Sequence, residues 1–589
     1  MTRDLLRLWK YVRKYKGRLI GGIVLFFFAR VCEASIPLFL GVGIDRLASG
    51  HYDLLYPVCG IVVAVIMRFF IVTSARIAVR RASFLVQRDL RNVFYQHLQQ
   101  MGPNFFARFA VGDLMTRAIA DIQLIRRLIG NGTTMVVIFV YATMFGFGCM
   151  FYLSPQLLLV VLPPLPIVLI YAWRTSFKLG VASRRVQEKL GDLGSHVQEN
   201  LSGIRTIQAM AQEENEQRRF ATHSQAYSDK FFEHARIHSL MQAIMPSLAA
   251  VSIVGILGYG GHLVLTEQLS VGAFAAYFFY VNMIVQPFRV AGMIISLIQR
   301  GAVASQRLHQ IFEYEPEIED RLNSDVPEVI RGQIDIRSLT FAYPRSAHPT
   351  LIDINLTIAK GESIAIMGRV GCGKTTLLKQ LVRILDTPPK AIYLDDYDIC
   401  EYPLQQLRTQ VAFVPQDTFL FVEPLRANIT YDQPRRSIDQ VWQAADAASL
   451  STTVEAMERK METIVGERGV TLSGGQKQRT TVARGVIRHA PVLVLDDCFA
   501  SVDTETEDYI LQSLRKLRAD QTTILVSHRV STAKLSDRIL FMERGRIVEM
   551  GTHDELVRIK GRYAELDRMQ RENSEAVNTP DRKSVGMGS

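Results

Sequence analysis

The sequence is poor in cysteine, in tryptophan and in charge. Six cysteines among 589 residues are too sparse to staple a fold, which excludes a disulfide scaffold. Cys372, Cys400 and Cys498 lie in the more hydrophilic half and read as reduced cytosolic thiols. Charged residues make up only 21% of the chain against 48% hydrophobic. Intrinsic disorder is thereby excluded, since a disordered chain needs low hydrophobicity and dense charge. At roughly 150 residues per domain the chain is also too long for one soluble domain. Lys and Arg number 68 against 57 Asp and Glu, a net charge of +11. That balance alone leaves nucleic acid, an anionic membrane surface and an anionic ligand open.

The local absence of charge is more informative. No Asp, Glu, Lys or Arg occurs from Gly130 to Trp173, from Ile237 to Thr266, or from Gln268 to Phe288. About 20 apolar residues cross a bilayer once, and Leu153-Ser154-Pro155-Gln156 divides the first run with a turn signal. These runs predict spans near 132–153, 157–173, 241–264 and 270–297. Two further spans, near 19–45 and 54–75, carry Arg30, Glu33 and Arg68, and the last span carries Arg289. Charge at membrane depth faces a cavity or a partner; a substrate path and a structural pairing are equally open for these four.

Six spans give both termini the same side. Lys and Arg crowd the N-terminal segment (Arg3, Arg7, Lys10, Arg13, Lys14, Lys16, Arg18) and the connection after the second span, while the 153–157 and 264–270 turns have none. The positive-inside rule then makes both termini cytoplasmic. Arg30 and Glu33 interrupt the first apolar stretch, so a cleaved signal peptide is not expected. The connections 76–131 and 174–240 read as long polar helices broken at Ala110-Val111-Gly112-Asp113 and Ser202-Gly203-Ile204-Arg205. Topology accounts for the basic clusters, so no nucleic-acid partner is expected. His51, His97, His234, His238 and His309 form no zinc-ligand pattern.

An acidic, Pro-containing stretch at 313–330 reads as a linker, and beyond it short β-branched runs alternate with helical patterns over 331–570, an α/β domain. The apolar run Ser363–Met367 leads into Gly368-Arg369-Val370-Gly371-Cys372-Gly373-Lys374-Thr375, followed by Thr376. This is the G-x-x-x-x-G-K-[ST] phosphate loop in a strand–loop–helix context. Glycine lets backbone N–H groups wrap phosphate oxygens; Lys374 supplies a cation for the β- and γ-phosphates and Thr375 a hydroxyl for Mg²⁺. Val492–Leu495 is an apolar strand ending in Asp496, the candidate second metal contact, and Asp497 follows it. ATP and Mg²⁺ are the expected cofactors.

Leu472-Ser473-Gly474-Gly475-Gln476 matches the signature peptide of ATP-binding cassette (ABC) proteins, and the chain resembles a half-transporter of the exporter type. In family order, Tyr343 resembles the aromatic that stacks on adenine and Gln416 the loop glutamine, which also contacts the metal. Asp503 resembles the dimer-contact aspartate and His528 the switch histidine; Val465–Gly469 looks like an exporter segment. The resemblance implies a six-span helical domain (1–312) with cytoplasmic extensions, then the linker, then a P-loop ATPase domain with a helical subdomain (331–570) and a disordered tail (571–589). It implies coupling helices at the breaks near 110–113 and 202–205. It also implies a head-to-tail pair in which ATP lies between one chain's Lys374 loop and the other's Ser473–Gln476, with His528 holding the γ-phosphate and attacking water in line and Gln416, also a catalytic-site residue, linking nucleotide state to the coupling helices.

One position departs from the family. The catalytic base is usually Glu; here it is Asp497, one methylene shorter, and a misplacement of about 1 Å can cost on the order of 10²-fold in rate. Aspartate there resembles the degenerate-site subunit of bacterial heterodimeric multidrug or lipid exporters. The expected activity is ATP hydrolysis coupled to outward movement of a hydrophobic or amphipathic small molecule, lipid or peptide. The expected setting is a bacterial inner membrane, with a second half-transporter as partner. The alternatives are an ATP-binding regulatory subunit that gates a catalytic partner, and an importer on the same scaffold.

Overall fold

The computed structural model describes residues 2–320, 325–344, 346–466 and 472–578. It divides into two compact units, Met1–Gln99 with Ala110–Tyr314, and Gln100–Phe109 with Glu315–Ser589.

The first unit is helical throughout. Its long members are Lys16–Ala48, Leu55–Gln99, Thr133–Leu153, Pro164–Ser202, Glu213–Gly255 and Val271–Phe312. Among the described residues three helices, Leu6–Ala48, Leu55–Gln99 and Val111–Leu153, are long and apolar enough to cross a membrane; Ile253–Leu265 and Val271–Ile284 are shorter apolar stretches. Charge-free sequence yields helix here because hydrocarbon forces every backbone polar group to be satisfied within its own segment. At the break at Ser154–Pro155 the buried Tyr277 hydroxyl lies 2.8 Å from Met150 O and 2.6 Å from Ser154 O, carbonyls that also accept the Ser154 and Leu158 amides. Ser154 Oγ in turn accepts the Leu157 amide.

Two expectations are corrected. The first cytoplasmic break is not a turn at 110–113. Pro103 starts a short helix, Pro103–Arg108, and a second, Val111–Thr116, begins straight after Ala110. Gly112 and Asp113 are therefore helical, and Asp113 pairs with Arg117 four residues on and with Arg307, each at 2.8 Å. The short segment Gln100–Phe109 groups with the second unit, where Glu317 accepts from the Phe105 amide and the Asn104 side chain, both at 2.9 Å. In the other connection Gly203 is the break and Ile204–Ala209 the short helix. The expected disorder from 571 is the second: residues 571–578 are helical. Helix Arg562–Asn578 runs through 571–578, steadied by the Arg571–Asp567 and Arg568–Glu572 pairs at i,i+4 spacing. Residues 579–589 and the Glu467–Gly469 stretch lie outside the described residues.

The second unit is α/β. A four-stranded antiparallel sheet has the order β2-β1-β4-β5, from β1 Ile334–Phe341, β2 Leu351–Ile358, β4 Ile392–Leu394 and β5 Tyr397–Asp398. A six-stranded sheet has the order β10-β9-β3-β8-β7-β6, from β3 Ser363–Gly368, β6 Val411–Val414, β7 Val492–Asp496, β8 Thr522–Val526, β9 Arg538–Glu543 and β10 Arg546–Gly551. In it β9, β3, β8, β7 and β6 are parallel and only β10 is antiparallel.

Parallel strands are buried on both faces, hence the unbroken apolar runs. Ala365 and Met367 pack into one core with Leu493 and Leu495, while Ile364 and Ile366 pack into the other with Val492 and Val494. Helices Leu425–Ile429, Ile438–Ala447, Ser451–Glu455 and Gly474–Val486 form the helical part, contributing Leu425, Val441, Val454 and Val482 to the first core.

Candidate functional site

The parallel order brings four chain segments to one edge. Gly368 ends β3, Asp496 ends β7, and Gln416 and His528 follow two residues after β6 and β8. Ligands of open α/β sheets bind at the carboxyl ends of such strands.

The loop after β3 has the conformation that its glycines permit. Gly368, Gly371 and Gly373 have φ of +148°, +81° and +107°. A Cβ on Gly368 would stand 2.3 Å from Met542 O, and one on Gly373 2.9 Å from Thr350 O, so glycine is required at both. Helix Lys374–Leu381 starts directly after the loop, aiming its free amides at the loop mouth. Lys374 is buried and donates from Nζ to Gly368 O at 2.8 Å and Arg369 O at 3.0 Å. Its cation is thus held over the cradle by the same loop. Val370 projects into solvent, and Cys372 packs inward.

Thr375 donates from Oγ1 to Asp496 Oδ1 at 2.9 Å. Asp496 is 1% exposed, and burial raises its carboxyl pKa against the lowering effect of Thr375. A buried carboxylate beside a hydroxyl is a hard oxygen pair suited to Mg²⁺. Thr376 Oγ1 lies 3.1 Å from the Tyr343 hydroxyl, and Tyr343 packs edge-on against Phe341 with centroids 5.3 Å apart. The adenine-stacking candidate is therefore tied to the phosphate-loop helix.

Asp497 sits at φ +45°, a left-handed turn just beyond the strand end. Gln416 Nε2 donates to its Oδ2 at 3.0 Å, and His528 Nε2 lies 3.9 Å from the same oxygen. Despite the shorter side chain, the carboxylate meets both the glutamine and the histidine. Burial lowers the His528 pKa, the Lys374 charge lowers it further, and Asp497 opposes both. The imidazole is therefore held toward its neutral form, able to accept at one nitrogen and donate at the other.

Ser473 caps helix Gly474–Val486 with a complete capping box. Its Oγ accepts from the Gln476 amide at 3.3 Å, while its own amide donates to Gln476 Oε1 at 2.9 Å. Gly475 leaves room for Ser501 O, 2.9 Å from where a Cβ would stand. Asp503 caps the next helix, Thr504–Leu517, accepting from the Thr506 amide at 2.9 Å, and this holds its pKa below the usual carboxylate range.

The sequence reading missed three supports. Gln478 Oε1 accepts from the Ser501 amide at 2.8 Å, tying the signature helix to the loop before Asp503. Gln570 clamps the histidine turn, donating to His528 O at 2.7 Å and accepting from the Val530 amide at 2.8 Å. Arg529 and Thr532 both bond the buried Glu507. Gln478 sits next to the signature and was within reach of a pattern argument. Gln570 is 42 residues from His528, and no local signal marks it.

A phosphate-binding α/β ATPase fused to a helical membrane unit is the class this geometry defines. The family model for the ABC transporter transmembrane region matches residues 19–288, and that for the ABC transporter ATPase matches 351–500. The probable multidrug resistance ABC transporter ATP-binding/permease protein YheI of Bacillus subtilis (strain 168) is 32% identical over 583 residues, covering 96% of this chain and 97% of that protein. The ATP-dependent lipid A-core flippase of Syntrophus aciditrophicus (strain SB) is 32% identical over 83% of this chain and 81% of that protein. The solved structure of a bacterial Atm1-family ABC exporter with ATP bound shares the fold, with a TM-score of 0.76 at 23% identity over 95% of this chain and 99% of that one. The chain belongs to the ABC transporter family, as an exporter-type half-transporter: an integral membrane protein with an ATPase domain.

Proposed function

We propose that this chain is one half of a heterodimeric bacterial exporter whose own ATP site turns over slowly. Tyr343 stacks on the base, residues 368–376 wrap the phosphates, and Lys374 turns from its loop carbonyls to the phosphate oxygens. Thr375 and Asp496, with Gln416, would hold Mg²⁺, which would supply charge neutralisation for the phosphates. Asp497 receives the proton of the attacking water, and His528 and Gln416 orient that water. Ser473 and Gly475, with Gly474 and Gln476, present the signature helix's N-terminus to the partner's nucleotide, and Asp503 meets the partner. The convergence of Gln416 and His528 on Asp497 supports a water-positioning site. The one-methylene shortfall of Asp497 supports slow turnover there.

The relatives named for multidrug resistance and for lipid A-core flipping support a hydrophobic or amphipathic substrate carried outward. Their bacterial sources support an inner membrane, and the Lys/Arg bias supports cytoplasmic termini. Affinity purification of the tagged chain from its native membrane tests the pairing. A stoichiometric second half-transporter with Glu at the position matching Asp497 is expected; recovery of this chain alone overturns the heterodimer.

A further inference from the structure

The ring of His528 is not held by Asp497. Its Nε2 stands 3.9 Å from Asp497 Oδ2, beyond hydrogen-bond length, so the aim of the imidazole depends on the backbone that carries it. Arg529 is extended, at φ −101° and ψ 129°. In extended chain the carbonyl before a residue and the amide after it face the same side, and a parallel neighbouring strand bonds that pair. Here the side chain of Gln570 takes the strand's place. Its Nε2 donates to His528 O at 2.7 Å, and its Oε1 accepts from the Val530 amide at 2.8 Å. A carboxamide has one donor end and one acceptor end, which is what this pair requires; a carboxylate would serve the amide alone.

The helix that carries Gln570 is itself anchored. Tyr563 is fully buried, with its hydroxyl 2.7 Å from His553 Nδ1. Glu549, on β10, accepts from the Tyr563 amide at 3.0 Å. Asp567 is buried and pairs with Arg571. Tyr563, Asp567 and Gln570 fall at i, i+4 and i+7, one face of helix Arg562–Asn578. From the other side, Arg529 donates to Val502 O at 3.0 Å and pairs with the buried Glu507. The histidine turn is thus clasped between the helix that Asp503 caps and the C-terminal helix.

We infer that Gln570 is a positioning residue for ATP hydrolysis: it sets the backbone of 528–530 and, through it, the place of the His528 imidazole opposite Asp497. The inference rests on the reading of His528 as a residue that orients the attacking water. It gives the C-terminal helix a part in hydrolysis, exerted through His528 alone. A misplacement of about 1 Å can cost on the order of 10²-fold in rate, so releasing one side of the clasp needs only a small motion to be felt.

The test reads hydrolysis at this chain's own nucleotide, in the natural complex. Two 8-azido-ATP probes, one labelled on the α-phosphate and one on the γ-phosphate, are bound and photo-crosslinked at timed intervals, and the label on this chain is counted. The α-label measures occupancy, and the fall of the γ-label relative to it measures hydrolysis. Gln570→Ala is expected to slow that fall at least tenfold at unchanged occupancy. In a His528→Ala background the same substitution should add less than twofold, because the group it positions is gone. Gln570→Glu keeps the length and the acceptor but donates only when protonated, so its rate relative to wild type should rise as the pH falls from 8 to 6. A smaller effect of Gln570→Ala, in a complex that His528→Ala does slow, overturns the inference and leaves the reading of His528 standing. A larger added loss in the double variant overturns it as well, since the helix would then act through something other than His528. If His528→Ala does not slow the fall, the reading of His528 fails and the inference with it. Should Gln570→Ala not fold, Gln570→Glu decides, and a rate ratio that stays flat with pH overturns the proposal.

Discussion

Replacing Lys374 by alanine removes the cation of the phosphate cradle. The ammonium rests on two loop carbonyls, Gly368 O and Arg369 O, at 2.8 and 3.0 Å. Each is a bond that a phosphate oxygen can replace at similar length. Hydrogen bonds to a charged group contribute about 1.5–3 kcal/mol apiece. The carbonyl bonds are given up as the phosphate bonds form, so two such bonds set only an upper limit on the loss, about 3–6 kcal/mol, or roughly 10²- to 10⁴-fold in Kd at most. The fold should survive, because the loop's shape is set by Gly368 and Gly373 against Met542 O and Thr350 O rather than by the lysine. Titration of the purified complex with a fluorescent ATP analogue, restricted to this chain's site by photo-crosslinking, measures the change. Lys374→Ala that crosslinks ATP within threefold of wild type, at an unaltered Tm, refutes the assignment of the cradle.

Tyr343→Ala should weaken ATP binding more mildly, by about 1–3 kcal/mol on the scale of base–aromatic stacking, in the same titration. Gly373→Ala should match or exceed Lys374→Ala, because a side chain at φ +107° with Thr350 O at 2.9 Å distorts the cradle; wild-type affinity there would contradict the loop geometry. Cysteine labelling in spheroplasts should mark exposed positions near 154 and 267 as external and 88 and 113 as internal; internal labelling near 154 overturns the expected six-span topology. Burial raises the Glu507 pKa above the usual glutamate range, against Thr532 and Arg529. The folded chain therefore binds this proton more tightly than the unfolded chain, and stability is lost as pH rises through the folded value. Melting curves from pH 4.5 to 7.5 should show Glu507→Gln gaining on wild type toward the higher pH, and a gap that widens on acidification would contradict that environment.

Periodicity and charge revealed the helical unit because hydrocarbon allows few solutions. A long run without charge that crosses it as a single segment must be helix. The phosphate loop was equally legible: positive φ at 368, 371 and 373 favours glycine, and at 368 and 373 a carbonyl stands where a Cβ would crowd it. What stayed hidden depended on contacts distant in sequence. Gln570 reaches the His528 turn across 42 residues, and Glu317 gathers Asn104 and Phe105 from 213 and 212 residues away. The break at 110–113 was misplaced because Gly112-Asp113 carries a turn's composition, while Asp113 serves as a first-turn helix acid answered by Arg117 and Arg307. The tail was misjudged by polarity alone: residues 571–578 are polar but continue a helix that Asp567–Arg571 had already begun to brace. Asp497 is a subtler case. Its shortened side chain read as a defect, and the structure nonetheless puts it within reach of Gln416 and His528.

The division of labour between two unequal ATP sites is tested most directly by comparing two variants in the natural complex. Ser473→Arg places bulk and charge at the capping box that, in the proposed pairing, presents the signature helix to the partner's nucleotide, whereas Asp497→Asn removes only the base proposed for this chain's own site. Steady-state ATPase rates should fall to background for Ser473→Arg and by less than tenfold for Asp497→Asn. A loss greater than about tenfold in Asp497→Asn, roughly 1.4 kcal/mol of transition-state stabilisation, would contradict the slow-site account and make Asp497 an ordinary general base.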